Sequence, residues 1–219
     1  MGTADTALSQ RLQQFPDWSL PAPLPRPHRG DDLEYPSWFE GCWELRTSDG
    51  VIAEVRFKRR GDGVVIGDRA GNAMAIGRAV LGDQLLEVQD DPENPNRQLA
   101  RLSDERQLDS RITGRRSEQM SNGEFLADEL SLQLLKKPGL PPRSSRIETL
   151  SRYRREGPDQ ISGQQWQVSY SSPEQGLTAS ARSSQQLSLE LVRLQASGTG
   201  SAAGEAGLAI PSARRPTLR

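Results

Sequence analysis

The chain has 219 residues, of which 34% are hydrophobic and 26% charged, and a formal net charge of −1. That is the length of one domain with tails, too polar for all of it to enter a core, and it carries no basic field that would recruit nucleic acid. One cysteine, Cys42, and one histidine, His28, exclude an intrachain disulfide and a Cys/His zinc site.

Residues 5 to 15 read as a short helix. Leu8, Leu12 and Phe15 share a face, and Pro16 stops it. Met1-Gly2 carries neither a convincing myristoylation pattern nor the basic-then-apolar run of a signal peptide, and no apolar run approaches the roughly 20 residues of a membrane span. As given, the chain reads as soluble, with room for a trimmed upstream signal. Residues 16 to 36 hold six prolines and read as an extended arm rather than a strand. His28 sits in that arm, where an extended backbone aims a catalytic base poorly, so a Cys42–His28 nucleophile pair is not expected.

From Cys42 the period becomes two. Trp43, Leu45 and Thr47 share one face, and Ala53, Val55 and Phe57 line the next strand across an Asp49-Gly50 turn. Val64 to Ile66 reads as a short strand, residues 67 to 72 as a Gly-containing loop, and Ile76–Leu81 with Gln84–Gln89 as a hairpin around Gly82-Asp83. Asp90 to Asn96 reads as a loop. Gln98–Ser103 and Gln107–Thr113 form a hairpin around Asp104-Glu105, with Leu108, Ser110 and Ile112 inward and Asp109 and Arg111 on the wet face. A strand carrying Leu126, Leu130, Leu132 and Leu134 follows, with Asp128 as the polar exception on its inner face. Pro138 to Pro142 ends it, and segments 147–155, 161–170 and 187–194 supply the last strands. The chain from Ala196 is rich in Gly, Ser and Ala, then basic, and reads as a disordered tail.

Few residues carry chemistry in this pattern. Trp43 opens the first strand after Gly41, where an indole plugs the end of a barrel, and Arg193 continues the inward face of the last strand, placed for a cation–π contact over it. Arg69 and Asn72 fall in a loop at the expected barrel mouth, where ligands are met, and Asp128 is a buried polar position. These three are the candidate ligand-binding residues. Ser110, Thr149 and Ser151 are expected to point inward with Asp128. Arg115-Arg116 and Arg152-Tyr153-Arg154-Arg155 are short basic clusters that strand alternation would split between faces, so no nucleic-acid partner is expected. No metal ligand set, phosphate-cradling loop or paired carboxylate spacing is present, and no cofactor and no catalytic residue are assigned.

Several segments together resemble a little-characterised family of cyanobacteria and chloroplasts known as a domain of unknown function. They are Leu8-Ser9-Gln10-Arg11-Leu12 with Phe15-Pro16-Asp17-Trp18, and Tyr35-Pro36-Ser37-Trp38-Phe39-Glu40-Gly41 with Trp43. Further on come Asp68-Arg69-Ala70 with Asn72, Asp91-Pro92 with Asn94-Pro95-Asn96-Arg97-Gln98, and Thr113-Gly114-Arg115. The resemblance spans about residues 8 to 194 and rests on motifs in order. It implies the thylakoid lumen or periplasm, although the first residues here hold no leader, and it implies no catalytic residues.

The expected architecture is all-β: a single antiparallel up-and-down barrel, lipocalin-like, over residues 37–195, with an N-terminal helix and Pro-rich arm over 1–36 and a disordered tail over 196–219. The expected role is a non-enzymatic binding or assembly module for an apolar pigment, a lipid or a photosynthetic protein. The rival is a bilin-type chromophore lyase or isomerase, which requires an acid such as Asp128 or Glu129 facing a cavity.

Overall fold

A computed structural model describes residues 6–195, so the expected tail lies outside the described residues. Helix α1 is Ala7–Gln13; the Thr6 hydroxyl caps it by accepting from the Ser9 N–H. Two two-residue strands follow, β1 (Ser19–Leu20) and β2 (Glu34–Tyr35). Then come β3 (Gly41–Thr47), β4 (Ile52–Arg59), β5 (Val65–Gly67), helix α2 (Arg69–Leu81), β6 (Leu85–Asp91) and β7 (Asn94–Leu102). The long strands close the chain: β8 (Gln107–Gln119), β9 (Phe125–Lys137), β10 (Leu140–Arg155), β11 (Gln160–Tyr170) and β12 (Ala179–Arg193).

All the pairings are antiparallel. The ladder order is β2-β5-β4-β3-β12-β11-β10-β9-β8-β7-β6, and β1 adds to β12. Pairing of β3 with β12 joins the two ends of the chain's strand series and rolls the sheet into a curled half-barrel. The curl shows in the interior: Phe39, just before β3, places its ring 5.1 Å from that of Tyr153 on β10. On a flat sheet those strands, three ladder steps apart, would be separated by roughly 14 Å.

The sheet buries both faces. Its concave face packs Phe39, Trp43, Leu45, Val55, Phe57, Phe125, Ile161, Leu189 and Leu191 into one core. Its other face carries a second core of Leu126, Leu150, Trp166, Val168 and Tyr170, covered by Leu8, Trp18 and Leu20 of the N-terminal segment. Residues 16–36 are therefore not a free arm. Trp18, Leu20 and Leu33 are buried, and the segment forms two short ladder pairings. It also binds to the strands opposite: the Arg115 N–H donates to Pro25 O at 2.9 Å, and Asn96 Nδ2 to His28 O at 3.0 Å. Residues 25–35 thus run from β7–β8 to β5, across the interval that strand pairing leaves open.

Four readings of the sequence are corrected. First, residues 69–81 are helix α2, not a loop and half a hairpin. Ala70, Ala73, Met74, Ala75, Arg78 and Ala79 are strong helix formers, and the small residues give no apolar stripe to announce the turn. The helix packs against β4 and β6 and so spans the two sides of the opening. Gly77 permits this contact, since a Cβ there would stand 2.5 Å from Leu85 Cδ2. Second, Asp90–Asn96 is a hairpin in which only Pro92-Glu93 turn between β6 and β7. Third, Asp109 lies on the face opposite Ser110, as alternation has it, but that position is not wet: Asp109 is 4% exposed, held between Arg97 and Arg111 (2.9 and 3.0 Å). Fourth, Asp128 alternates with Leu126 and Leu130 on the face under α1, whereas Phe125, Ala127 and Glu129 point into the curl. Ser110, Thr149 and Ser151 share the concave face, in register with Gln133, Glu129 and Ala127. The turn at Asp104-Glu105 falls where expected, with both residues at φ +57°, as a tight two-residue hairpin requires.

Candidate functional site

One end of the curl is sealed by an indole and a guanidinium. Trp43 is fully buried, and its Nε1–H donates to Phe39 O at 2.7 Å. The Arg193 guanidinium carbon stands 4.2 Å from the Trp43 ring centroid, and its Nη1–H donates to Glu40 O at 2.7 Å. Register explains the meeting, because Arg193 is the ladder partner of Trp43. Gly41 makes room: its φ is +129°, and a Cβ there would lie 2.4 Å from Arg193 Nη1.

Further in, α2 delivers Arg69 to two acids. Arg69 Nη1 lies 3.0 Å from Asp32 Oδ1 and 3.4 Å from Glu129 Oε1. Arg115 of β8 takes the same Glu129 oxygen at 2.7 Å through Nε and donates from Nη1 to Asp31 O at 3.1 Å. Burial alone would raise the Glu129 carboxyl. The guanidinium charges of Arg69 and Arg115 outweigh burial and hold that carboxyl below its ordinary range. Glu129 is thus a fixed anion and a poor proton donor. Asn72, one turn along α2, is a clamp on β4: its Oδ1 accepts the Arg56 N–H at 2.7 Å and its Nδ2 donates to Arg56 O at 3.0 Å.

Asp128 is elsewhere. It sits on the opposite face of the sheet, beneath α1, so the fold does not bring it together with Arg69 and Asn72. Its neighbour Glu148 receives both Arg11 Nε and Nη2 at 2.8 Å and the Tyr170 hydroxyl at 2.5 Å. Trp18 completes the cap: its Nε1–H donates to Arg11 O at 2.7 Å. Arg11, Glu148 and Asp128 are 4%, 0% and 0% exposed. Both Asp128 carboxyl oxygens are buried without a partner among the described residues. Burial first, then the Glu148 carboxylate, push Asp128 well above the ordinary carboxyl range.

This raised acid has a consequence for stability. An acid whose folded value lies above its unfolded value favours the fold when protonated. That contribution is present below the unfolded value of about 3.9 and is lost as pH rises toward the folded value. Asp128→Asn keeps the shape and removes the ionisation. It is expected to stabilise the protein by about 1–3 kcal/mol at pH 7, with the gain shrinking toward zero near pH 3. Urea denaturation of both proteins at the two pH values checks this; a destabilised variant at pH 7 would refute it.

The cluster of Arg11, Glu148 and Tyr170 was not singled out from the sequence. Its one legible signal is Arg11 at i+3 from Leu8, on the apolar face of α1. Arg115 stands out in the sequence as half of a basic pair and as the end of the Thr113-Gly114-Arg115 motif, and Asp32 carries no signal of its own.

A surface cleft of about 430 Å³ opens along the seam where residues 25–34 meet β8. Its walls include Pro25, Pro27, Leu33, Arg60, Arg115 and Arg116. Arg115 is 8% exposed, and its Nη2 is buried with no partner among the described residues. The Arg116 Nε is likewise buried and unpartnered.

Fold and site together define an all-β protein: a curled antiparallel sheet, sealed at one end, with buried ion pairs on both faces and a charged cleft at its seam. The chain belongs to the family described as Domain of unknown function (DUF6816), whose model matches residues 50–189. The match takes in β4 to β12 up to Leu189 and excludes α1, β1–β3 and Arg193. No curated protein and no solved structure matches the chain. Among the described residues no helix is long and apolar enough to cross a membrane.

Proposed function

We propose that this protein is a non-enzymatic binding or assembly module, lipocalin-like in design, serving a photosynthetic organism in the thylakoid lumen or periplasm. The observation that carries the reading is the seam cleft, whose volume is that of a small-molecule site and whose wall holds a buried arginine with an unused donor. Three features lend support: the curled sheet, the Trp43–Arg193 seal, and the resemblance of its ordered motifs to those of cyanobacterial and chloroplast proteins. The chemistry of the acids also favours binding over catalysis. A lyase or isomerase needs an acid that delivers a proton into a cavity. Glu129 is held ionised by two arginines, and Asp128 is closed off beneath α1.

An apolar pigment or lipid would find the sealed end of the curl occupied, because Phe39, Phe57, Phe125 and Tyr35 pack ring against ring there. Such a ligand belongs at the seam, with a polar group toward the arginines. The test is native-source purification followed by mass spectrometry and an absorbance scan. A stoichiometric small molecule or a photosynthetic protein partner is expected; recovery of the bare chain alone would count against the reading.

A further inference from the structure

We propose that a second cleft, between α1 and the sheet, binds an amphipathic monocarboxylate, its apolar body against Leu12, Phe15, Met120 and Trp166 and its carboxylate on Arg152. This site goes beyond the binding reading above and shares no lining residue with the seam cleft.

The N-terminal segment covers the second core incompletely. Leu8 and Leu12 share one face of α1, and Phe15 continues it past the helix end. Leu8 is 1% exposed, whereas Leu12 and Phe15 are only half-buried. Across from them stand Met120, also half-buried, and Leu126 and Trp166 as the floor. The cleft between has a volume of about 420 Å³. Aromatic and aliphatic walls with a few polar groups, at that size, are the make-up of a small-molecule site. The unbranched thioether of Met120 adapts to apolar bodies of different shape.

Strand register brings a cation to the same face. Arg152 is the ladder partner of both Leu126 and Gln164, and Trp166 lies one row further on the same side, opposite Leu150. The Arg152 guanidinium carbon stands 5.4 Å from the Trp166 ring centroid, and its Nη2–H donates to Gln164 Oε1 at 2.5 Å. The indole and the amide orient the guanidinium without neutralising it. Arg154, two residues on, is paired with Glu156 at 2.8 Å, but among the described residues no carboxylate pairs with Arg152. Its Nε and Nη1 have no partner there and are open to solvent. A guanidinium edge of this kind matches a carboxylate. The one acid in the cleft wall, Glu124, accepts from Asn122 Nδ2 at 3.0 Å. Its charge disfavours a ligand with a second anionic group. One negative charge on an apolar body is therefore the chemistry that fits.

The experiment titrates the full chain, carrying methyl-labelled methionine, with decanoate below its micelle concentration, and separately with decanol and with acetate. The chain has three methionines, Met1, Met74 and Met120, so the Met120 methyl signal is readily assigned by NMR. A saturable shift of Met120 is expected with decanoate, with a Kd tighter than about 1 mM. Decanol should bind roughly tenfold more weakly, for want of the charge-assisted bond, and acetate should not saturate, for want of the apolar body. Arg152→Gln should remove the preference for decanoate and leave the decanol curve unchanged, and Leu12→Gln should weaken both. Circular dichroism checks the fold of each variant. The ratio of decanoate to decanol affinity in the unaltered chain is a readout that does not depend on the variants folding. Equal affinity for the two, a decanoate titration that leaves Met120 unshifted, or full decanoate binding by Arg152→Gln overturns the proposal.

Discussion

Glu148→Gln is expected to destabilise the protein by about 3–5 kcal/mol, one of the two largest single-site effects in the molecule. The change strands the Arg11 guanidinium, which is 4% exposed, without its counter-charge, and weakens the hydrogen bond from Tyr170. The cost is that of an uncompensated buried charge, which exceeds the worth of the ion pair itself. An Arg11→Met, Glu148→Leu double variant, which removes both charges, should therefore recover much of the loss. Urea denaturation measures both. Amide exchange in α1 supplies a local readout, since Arg11 ties that helix to β10 and Trp18 bonds back to Arg11. A loss below about 1 kcal/mol for Glu148→Gln would mean that the pair is open to water.

Trp43→Ala is expected to cost a similar amount, about 3–5 kcal/mol, from the cavity left by a fully buried indole. It also removes the bond to Phe39 O and the platform beneath Arg193. Arg193→Gln isolates the last of these and should cost about 0.5–2 kcal/mol, the range of a cation–π contact. If Trp43→Ala were nearly neutral in thermal denaturation, the end of the curl would not be closed as described.

The parts of the fold legible from sequence are those where one face is wet. In β3 and β4 alternation puts Trp43, Leu45, Ala53, Val55 and Phe57 on one side, and the structure buries all five. The turn at Asp104-Glu105 and the short N-terminal helix were likewise readable, because turn chemistry and a proline stop are local. Alternation lost its meaning in β9, where Phe125, Leu126, Ala127 and Asp128 are all buried. With both faces covered, the leucines mark a core without saying which one, and the inward choice fell on the wrong side. Helix α2 escaped notice because alanines and glycines announce neither period. Asp109 keeps the face that alternation gives it, and its burial comes from Arg97 and Arg111 lying over it, which no periodicity signals. The site followed the same rule. Trp43 and Arg193 meet through ladder register, which can be counted along the chain. Arg69, Asp32, Glu129 and Arg115 meet through a helix and an N-terminal segment that cross the opening, and nothing local encodes that crossing.

The account depends on the sheet being rolled, and the contact between Phe39 and Tyr153 reports on this most directly. Their ring centroids lie 5.1 Å apart, and Phe39 also stands 6.0 Å from Phe125. Nuclear Overhauser spectra of aromatic-labelled protein should show strong cross-peaks between the rings of Phe39 and both partners. If the cross-strand peaks of β3–β12, β11–β12 and β10–β11 were all present while the Phe39–Tyr153 peak was missing, the sheet would be open. The interior, the seam and its cleft would then go with it.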